Sequence, residues 1–197
     1  MNELVLEISA FCISLFCLTD CLRNRTELYL PLKKGWVRRF KDRHFVYLML
    51  LVTMMISALS SVLEVAIEHH YIPGSIFGVY LLNQAYFVFH TALPLMFSMY
   101  INNLTGVLKN KGRTFFLICV TPLLIGELII LTNPFTKIMY SVDSNMTYSR
   151  GPFMWLIYAI ALMYVAFGVI YFFRNTSILS ELDRSATIVL VFIAILG

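Results

Sequence analysis

Long apolar runs alternate with short polar stretches along this chain. A bilayer core about 30 Å thick is crossed by roughly 20 residues of helix. Five runs reach that length, at about 4–22, 45–67, 76–101, 114–131 and 153–173. A sixth starts near Ser185 and continues to Gly197, a stretch of 13 residues that is too short to span. The chain is therefore expected to end inside a helix and to be a fragment of a longer protein. None of the runs alternates with period two over its length, which argues against a barrel. The pattern predicts an all-α, polytopic transmembrane bundle. Residues 1–197 would form one membrane domain, incomplete at its C-terminal end.

One segment departs from this helical pattern. Between the fourth and fifth runs, Ile138-Met139-Tyr140-Ser141-Val142 reads as a strand and Asp143 to Asn145 as a turn. Met146 to Tyr148 reads as the returning strand. A small hairpin should then cap the ends of helices four and five.

Composition narrows the class. Apolar residues make up 59% and charged residues 13%, whereas a soluble domain carries about a quarter charged residues. The positions of the charges also give an orientation. Of the 15 Lys and Arg residues, 13 lie in the first, third and fifth loops, and only Lys137 and Arg150 lie on the other side. The positive-inside rule puts those three loops in the cytoplasm and the N-terminus outside a cell membrane. Glu3 and Glu7 give the N-terminus the wrong charge for a secretory signal, so the first run reads as a retained helix. The basic first loop also holds Tyr29, Trp36 and Phe40, which fits a segment lying on the inner membrane surface. A basic cluster beside a span is a topology signal, and no nucleic-acid partner is expected. Cys12, Cys17, Cys21 and Cys119 show neither CxxC nor zinc spacing and read as small packing residues.

Polar side chains inside a membrane are expensive and are candidates for function. Here they are Glu7, Glu64, Asn83, Gln84, His90 and Glu127. Counted along the runs, Glu7, Glu64 and Glu127 share the outer third of the membrane on three different helices. Asn83 and Gln84 lie at a similar depth. His90, seven residues beyond Asn83, shares its face nearer the midplane. The functional reading is an outward-open pocket for a small molecule, with Tyr148 and Arg150 of the hairpin closing over it. The competing reading is ordinary interhelical hydrogen bonding, with acids reaching the headgroups. His69 and His70 are adjacent and point in different directions, so no metal site is expected. No Gly-rich nucleotide loop, nucleophile elbow or HExxH motif occurs, and no catalytic residue or cofactor is assigned.

The motifs around the hairpin carry a resemblance. Asn133-Pro134-Phe135 with Tyr140, then Tyr148-Ser149-Arg150-Gly151-Pro152, then Trp155-Leu156-Ile157-Tyr158 are one set. His90-Thr91-Ala92-Leu93-Pro94 and Leu104-Thr105-Gly106 are another. Together they resemble the N-terminal seven-helix sensor region of bacterial signalling proteins. That region precedes histidine kinase domains and diguanylate cyclase (GGDEF) domains. The resemblance implies seven helices in the full protein and signal input across the membrane. It also implies a cytoplasmic output domain, expected here to be a diguanylate cyclase, through which the protein would form a homodimer. Any enzyme activity would belong to that domain. A histidine kinase output is the first alternative. A small-molecule transporter or channel subunit is the second, although no repeated half with matching broken helices is visible. A membrane-embedded enzyme using Glu64, Glu127 and His90 is the third.

Overall fold

A computed structural model describes residues 2–23, 39–109, 111–181, 184–185 and 187–188. Five long helices run through them: α1 (Asn2–Arg23), α2 (Arg43–Glu68), α3 (Ile76–Leu104), α4 (Arg113–Thr136) and α5 (Met154–Arg174). Strands β1 (Tyr140–Val142) and β2 (Tyr148–Arg150) form an antiparallel hairpin between α4 and α5. A short 3-10 turn, Thr176–Ile178, follows α5. The expectations for Tyr29 and Trp36 in the first loop lie outside the described residues, as does most of the expected sixth helix.

Helices α2 to α5 are each long and apolar enough to cross a membrane. Their outward faces agree with that. Ile118, Leu128 and Leu162 are each about two-thirds exposed on the bundle surface. A water-soluble monomer does not tolerate so large an apolar surface, whereas lipid accepts it. The fold is an all-α membrane helix bundle.

α3 is the hub, packing on α2, α4 and α5, while α1 packs on α2. Its buried stripe shows why. Val79, Asn83, Phe87, Thr91 and Leu95 recur every four residues, and Ser98 and Asn102 continue the stripe after one step of three. A step of four overshoots a helical turn and a step of three undershoots it, so mixing them holds the stripe on one face. Two glycines let neighbouring helices approach. A Cβ on Gly126 of α4 would lie 3.0 Å from Ile160, and one on Gly168 of α5 would lie 3.3 Å from the Ser98 backbone. Small residues at such crossings are a membrane packing device. Asp42 caps α2 by accepting from the His44 amide at 2.9 Å, and Ser75 caps α3 by accepting from the Gly78 amide at 3.1 Å. At the opposite end of α3, Asn103 Nδ2 donates to the Phe40 carbonyl at 2.8 Å and Lys41 Nζ donates to the Lys109 carbonyl at 3.1 Å. These bonds tie the first and third loops together. We call this the basic end of the bundle, and the other the hairpin end.

Two boundaries differ from the sequence expectation. The fourth helix does not stop near Leu131 but continues through Asn133 and Pro134 to Thr136. A proline inside a helix leaves the carbonyl four residues earlier without its donor. Here that carbonyl belongs to Ile130, and Gln84 Nε2 of α3 donates to it at 2.7 Å. The helix survives its proline because a neighbouring helix supplies the missing hydrogen bond. The hairpin also differs. Its return strand is Tyr148–Arg150 rather than Met146 to Tyr148, and the connection spans residues 143–147. Asp143 sets that longer turn: its Oδ1 accepts from the Asn145 and Thr147 amides, each at 2.9 Å. Met146 completes the turn with a left-handed φ of 64°.

Candidate ligand site at the hairpin end

The site is built from the root of the hairpin upward. Asn133, fully buried in the last turn of α4, grips the chain as it turns back. Its Oδ1 accepts from the Met139 amide at 2.8 Å and the Tyr140 amide at 3.3 Å, while its Nδ2 donates to the Tyr140 carbonyl at 2.9 Å. This fixes Tyr140 over α3. The Tyr140 hydroxyl donates to Gln84 Oε1 at 2.9 Å, and the Val142 amide donates to the Tyr80 hydroxyl at 3.3 Å. Rings complete the dock. Phe87 stacks on Tyr140 with centroids 5.0 Å apart, and Tyr148 lies against both at 6.2 and 6.0 Å.

Tyr148 and Arg150 alternate with Ser149 along β2, so they project from one face of the strand. The Arg150 guanidinium lies beside the Tyr148 hydroxyl, and Glu64 and Tyr158 are within electrostatic reach of it. Burial pushes the Tyr148 hydroxyl up to about 12, against the opposing pull of Arg150. Burial raises Tyr140 as well. Both phenols therefore keep their protons at neutral pH and serve as hydrogen-bond donors. Asn83 Nδ2 donates to Glu64 Oε1 at 3.3 Å and to the Val79 carbonyl at 3.0 Å. Tyr86 brings the remaining elements in. It is within electrostatic reach of Glu7 on α1, Tyr158 on α5, and Tyr148 and Arg150 on β2.

The sequence candidates thus fall into different places. Glu64 and Asn83 are hydrogen-bonded to each other, Glu64 is within electrostatic reach of Tyr148, and Tyr148, Arg150 and Glu7 are within electrostatic reach of Tyr86. Gln84 lies at the same level of α3 but turns toward α4, where both ends of its amide are used. His90 stacks on Tyr86 at 4.9 Å and is exposed among the described residues. Glu127 stands apart: both its carboxylate oxygens are buried and neither has a hydrogen-bond partner among the described residues. His69 and His70 lie just beyond α2, and among the described residues no three His, Cys, Asp or Glu side chains are grouped to hold a metal. Tyr80 and Tyr86 carry no signal in the sequence reading, and Asn133 and Tyr158 enter it only within the resemblance motifs, not as site residues. The aromatic residues were hidden in apolar runs, and Asn133 was read as part of a loop.

Gln84 offers a direct check on this account. Gln84→Leu removes the donor to the Ile130 carbonyl and the acceptor of the Tyr140 hydroxyl. The expected cost is about 1–2 kcal/mol, since interhelical hydrogen bonds in membranes average roughly 0.6 kcal/mol and reach about 1.7. Adding Pro134→Ala should restore part of it, because an alanine at that position can supply the missing amide to the Ile130 carbonyl. Thermal unfolding in detergent reads both effects, and additive losses would contradict the proposed pairing of Gln84 with the proline break.

Together, these elements define a polytopic helical membrane module closed at one end by a hairpin docked on its central helix. The family described as the N-terminal 7TM region of histidine kinase matches residues 32–196, and the chain belongs to it. The match makes no reference to a GGDEF or diguanylate cyclase domain. No curated protein and no solved structure matches the chain.

Proposed function

We propose that this chain is the ligand-sensing input module of a histidine kinase, with its hairpin end outside the cell. The observation that carries the reading is the convergence at that end. Glu64, Asn83, Tyr86, Tyr148 and Arg150 bring acid, amide, phenol and guanidinium groups together from two helices and the hairpin. Structural packing alone does not call for so mixed a set beside an apolar core. A small polar molecule that prefers one arrangement of these groups would shift a two-state bundle. The hairpin joins α4 to α5 directly, so its movement is passed to both helices. The chain after α5 then carries the change to a dimeric kinase on the basic side. The family match supports a kinase output over the cyclase expected at first, and it lends no support to a transporter or a membrane-embedded enzyme.

Orientation is tested by single cysteines in a cysteine-free background. Ser141→Cys and Asn145→Cys should react with an impermeant maleimide in intact cells, and Lys34→Cys and Lys111→Cys only after permeabilisation. The opposite pattern would place the site in the cytoplasm. The input role is tested on the full-length protein in native membranes. Tyr148→Ala and Arg150→Ala are expected to change autophosphorylation severalfold at unchanged protein level. Unchanged phosphorylation in both variants would leave the cluster a packing element.

A further inference from the structure

The geometry points to a second binding site, an intramembrane cavity between α3, α4 and α5 that takes a hydroxyl-bearing amphiphile, a medium-chain alcohol, with its O–H donated to Asn102 Oδ1. The inference is independent of the hairpin-end site. The cavity has a volume of about 220 Å³ and is lined among others by Asn102, Phe115, Cys119, Pro122, Met163 and Tyr164. An apolar cavity of about 150 Å³ is already large enough to hold benzene.

Its origin lies in α4. Pro122 cannot donate to the Ile118 carbonyl. One residue on, the Tyr164 hydroxyl of α5 bridges the next donor and acceptor of the ladder, accepting from the Leu123 amide at 3.1 Å and donating to the Cys119 carbonyl at 2.6 Å. A side chain inserted into the ladder opens a helix locally. The opening faces α3 at the level where its buried stripe turns polar.

Asn102 gives the cavity its chemistry. It is 1% exposed, and its Nδ2 is used within α3, donating to the Ser98 carbonyl at 2.8 Å and to Ser98 Oγ at 3.4 Å. Its Oδ1 has no hydrogen-bond partner among the described residues. A buried acceptor without a donor is costly. Water is a poor remedy, because a buried water needs two to four polar partners and most of this lining is apolar. A carboxylate would set acceptor against acceptor. A single O–H on an apolar tail satisfies both the oxygen and the walls. Depth fits as well. Asn102 and Phe115 lie at the basic end of α3 and α4, and Pro122 lies about 10 Å deeper at 1.5 Å per residue. The cavity therefore has its polar end near one membrane surface and its apolar end near mid-depth, which is how an amphiphile sits in a bilayer.

The test uses the full-length protein in lipid nanodiscs with Cys119 as its only cysteine. The rate of Cys119 modification by N-ethylmaleimide is followed by intact mass. 1-Decanol should slow it saturably, with a half-protecting concentration about fivefold below that of decyl methyl ether, the gain expected of one hydrogen bond. Asn102→Leu should abolish that difference. Met163→Trp, which leaves Asn102 untouched and narrows the cavity at its exposed rim, should abolish protection by both compounds. Equal protection by alcohol and ether would overturn the proposal in favour of simple partitioning. Absence of any modification without additive would overturn it in favour of a cavity already closed by protein or by a lipid chain. A difference that persists in Asn102→Leu would also overturn it.

Discussion

Replacing Asn133 by alanine is expected to destabilise the bundle by about 3–4 kcal/mol, because it leaves two amides and a carbonyl without their partner in a buried position. Asn133 is fully buried, and its side chain bonds both the amide and the carbonyl of Tyr140. Tyr140 in turn holds Gln84, which completes α4 at Pro134. The loss should therefore extend beyond the hairpin. Asn133→Asp still accepts from the Met139 and Tyr140 amides but sets an acceptor against the buried Tyr140 carbonyl, so it is expected to recover only part of the loss. Fluorescence-monitored unfolding in detergent gives the ranking, and hydrogen exchange of residues 139–142 locates the damage. An alanine variant that melts with the native protein would mean that the aromatic stack alone seats the hairpin.

Gly151→Ala should be comparably severe, at about 3 kcal/mol or more, for a different reason. A Cβ at this position would lie 2.3 Å from the Ile138 carbonyl oxygen and 2.6 Å from its carbon. Both are backbone atoms, so no rotamer change relieves the overlap. The Gly151 amide donates to Met139 at 2.7 Å, and the Phe153 amide donates to Ile138 at 3.0 Å. Both bonds must lengthen for the methyl group to fit, and with them goes the closed mouth of the hairpin at the start of α5. Gly112→Ala is the control: no neighbouring atom lies within 4 Å of a Cβ there, and the change should be near neutral. Equal melting temperatures for the two variants would show that the hairpin mouth is loosely held.

The apolar runs made the bundle legible because membrane spans are selected by length and hydropathy, and both can be read along a chain. Ends were less legible. The run-based end of helix four came at the first polar residues, Thr132 and Asn133, with Pro134 as a break. The helix continues because Gln84 satisfies Ile130 from another helix, a contact 46 residues away in sequence. The hairpin was visible as a strand–turn–strand pattern, but its register depends on Asp143 Oδ1 bonding two amides, which lengthens the turn. Within the candidate site, depth along each helix brought Glu64 and Asn83 to a common level. It did not give the direction each side chain faces. His90 was placed by its spacing from Asn83, yet among the described residues it is exposed and lies against Tyr86. Asn102 and Tyr164 carried no signal of their own, since one falls at a run boundary and the other is a tyrosine in an apolar helix. The role of Tyr164 follows from the break at Pro122 on another helix, which only packing brings beside it, and that of Asn102 from the cavity between three helices, since Ser98 one turn earlier occupies its amide nitrogen alone.

The central question is whether a load placed on the hairpin from outside is felt by the output on the other side. Full-length protein with Asn145→Cys as its only cysteine, in right-side-out spheroplasts, is treated with an impermeant biotin maleimide and then with streptavidin. Autophosphorylation is then measured after rapid lysis. The expected result is labelling from outside and a severalfold change in phosphate incorporation on streptavidin binding, with no change in a Lys137→Cys control just outside the hairpin. Complete labelling at Asn145→Cys with unaltered phosphorylation, or labelling only after permeabilisation, would contradict it.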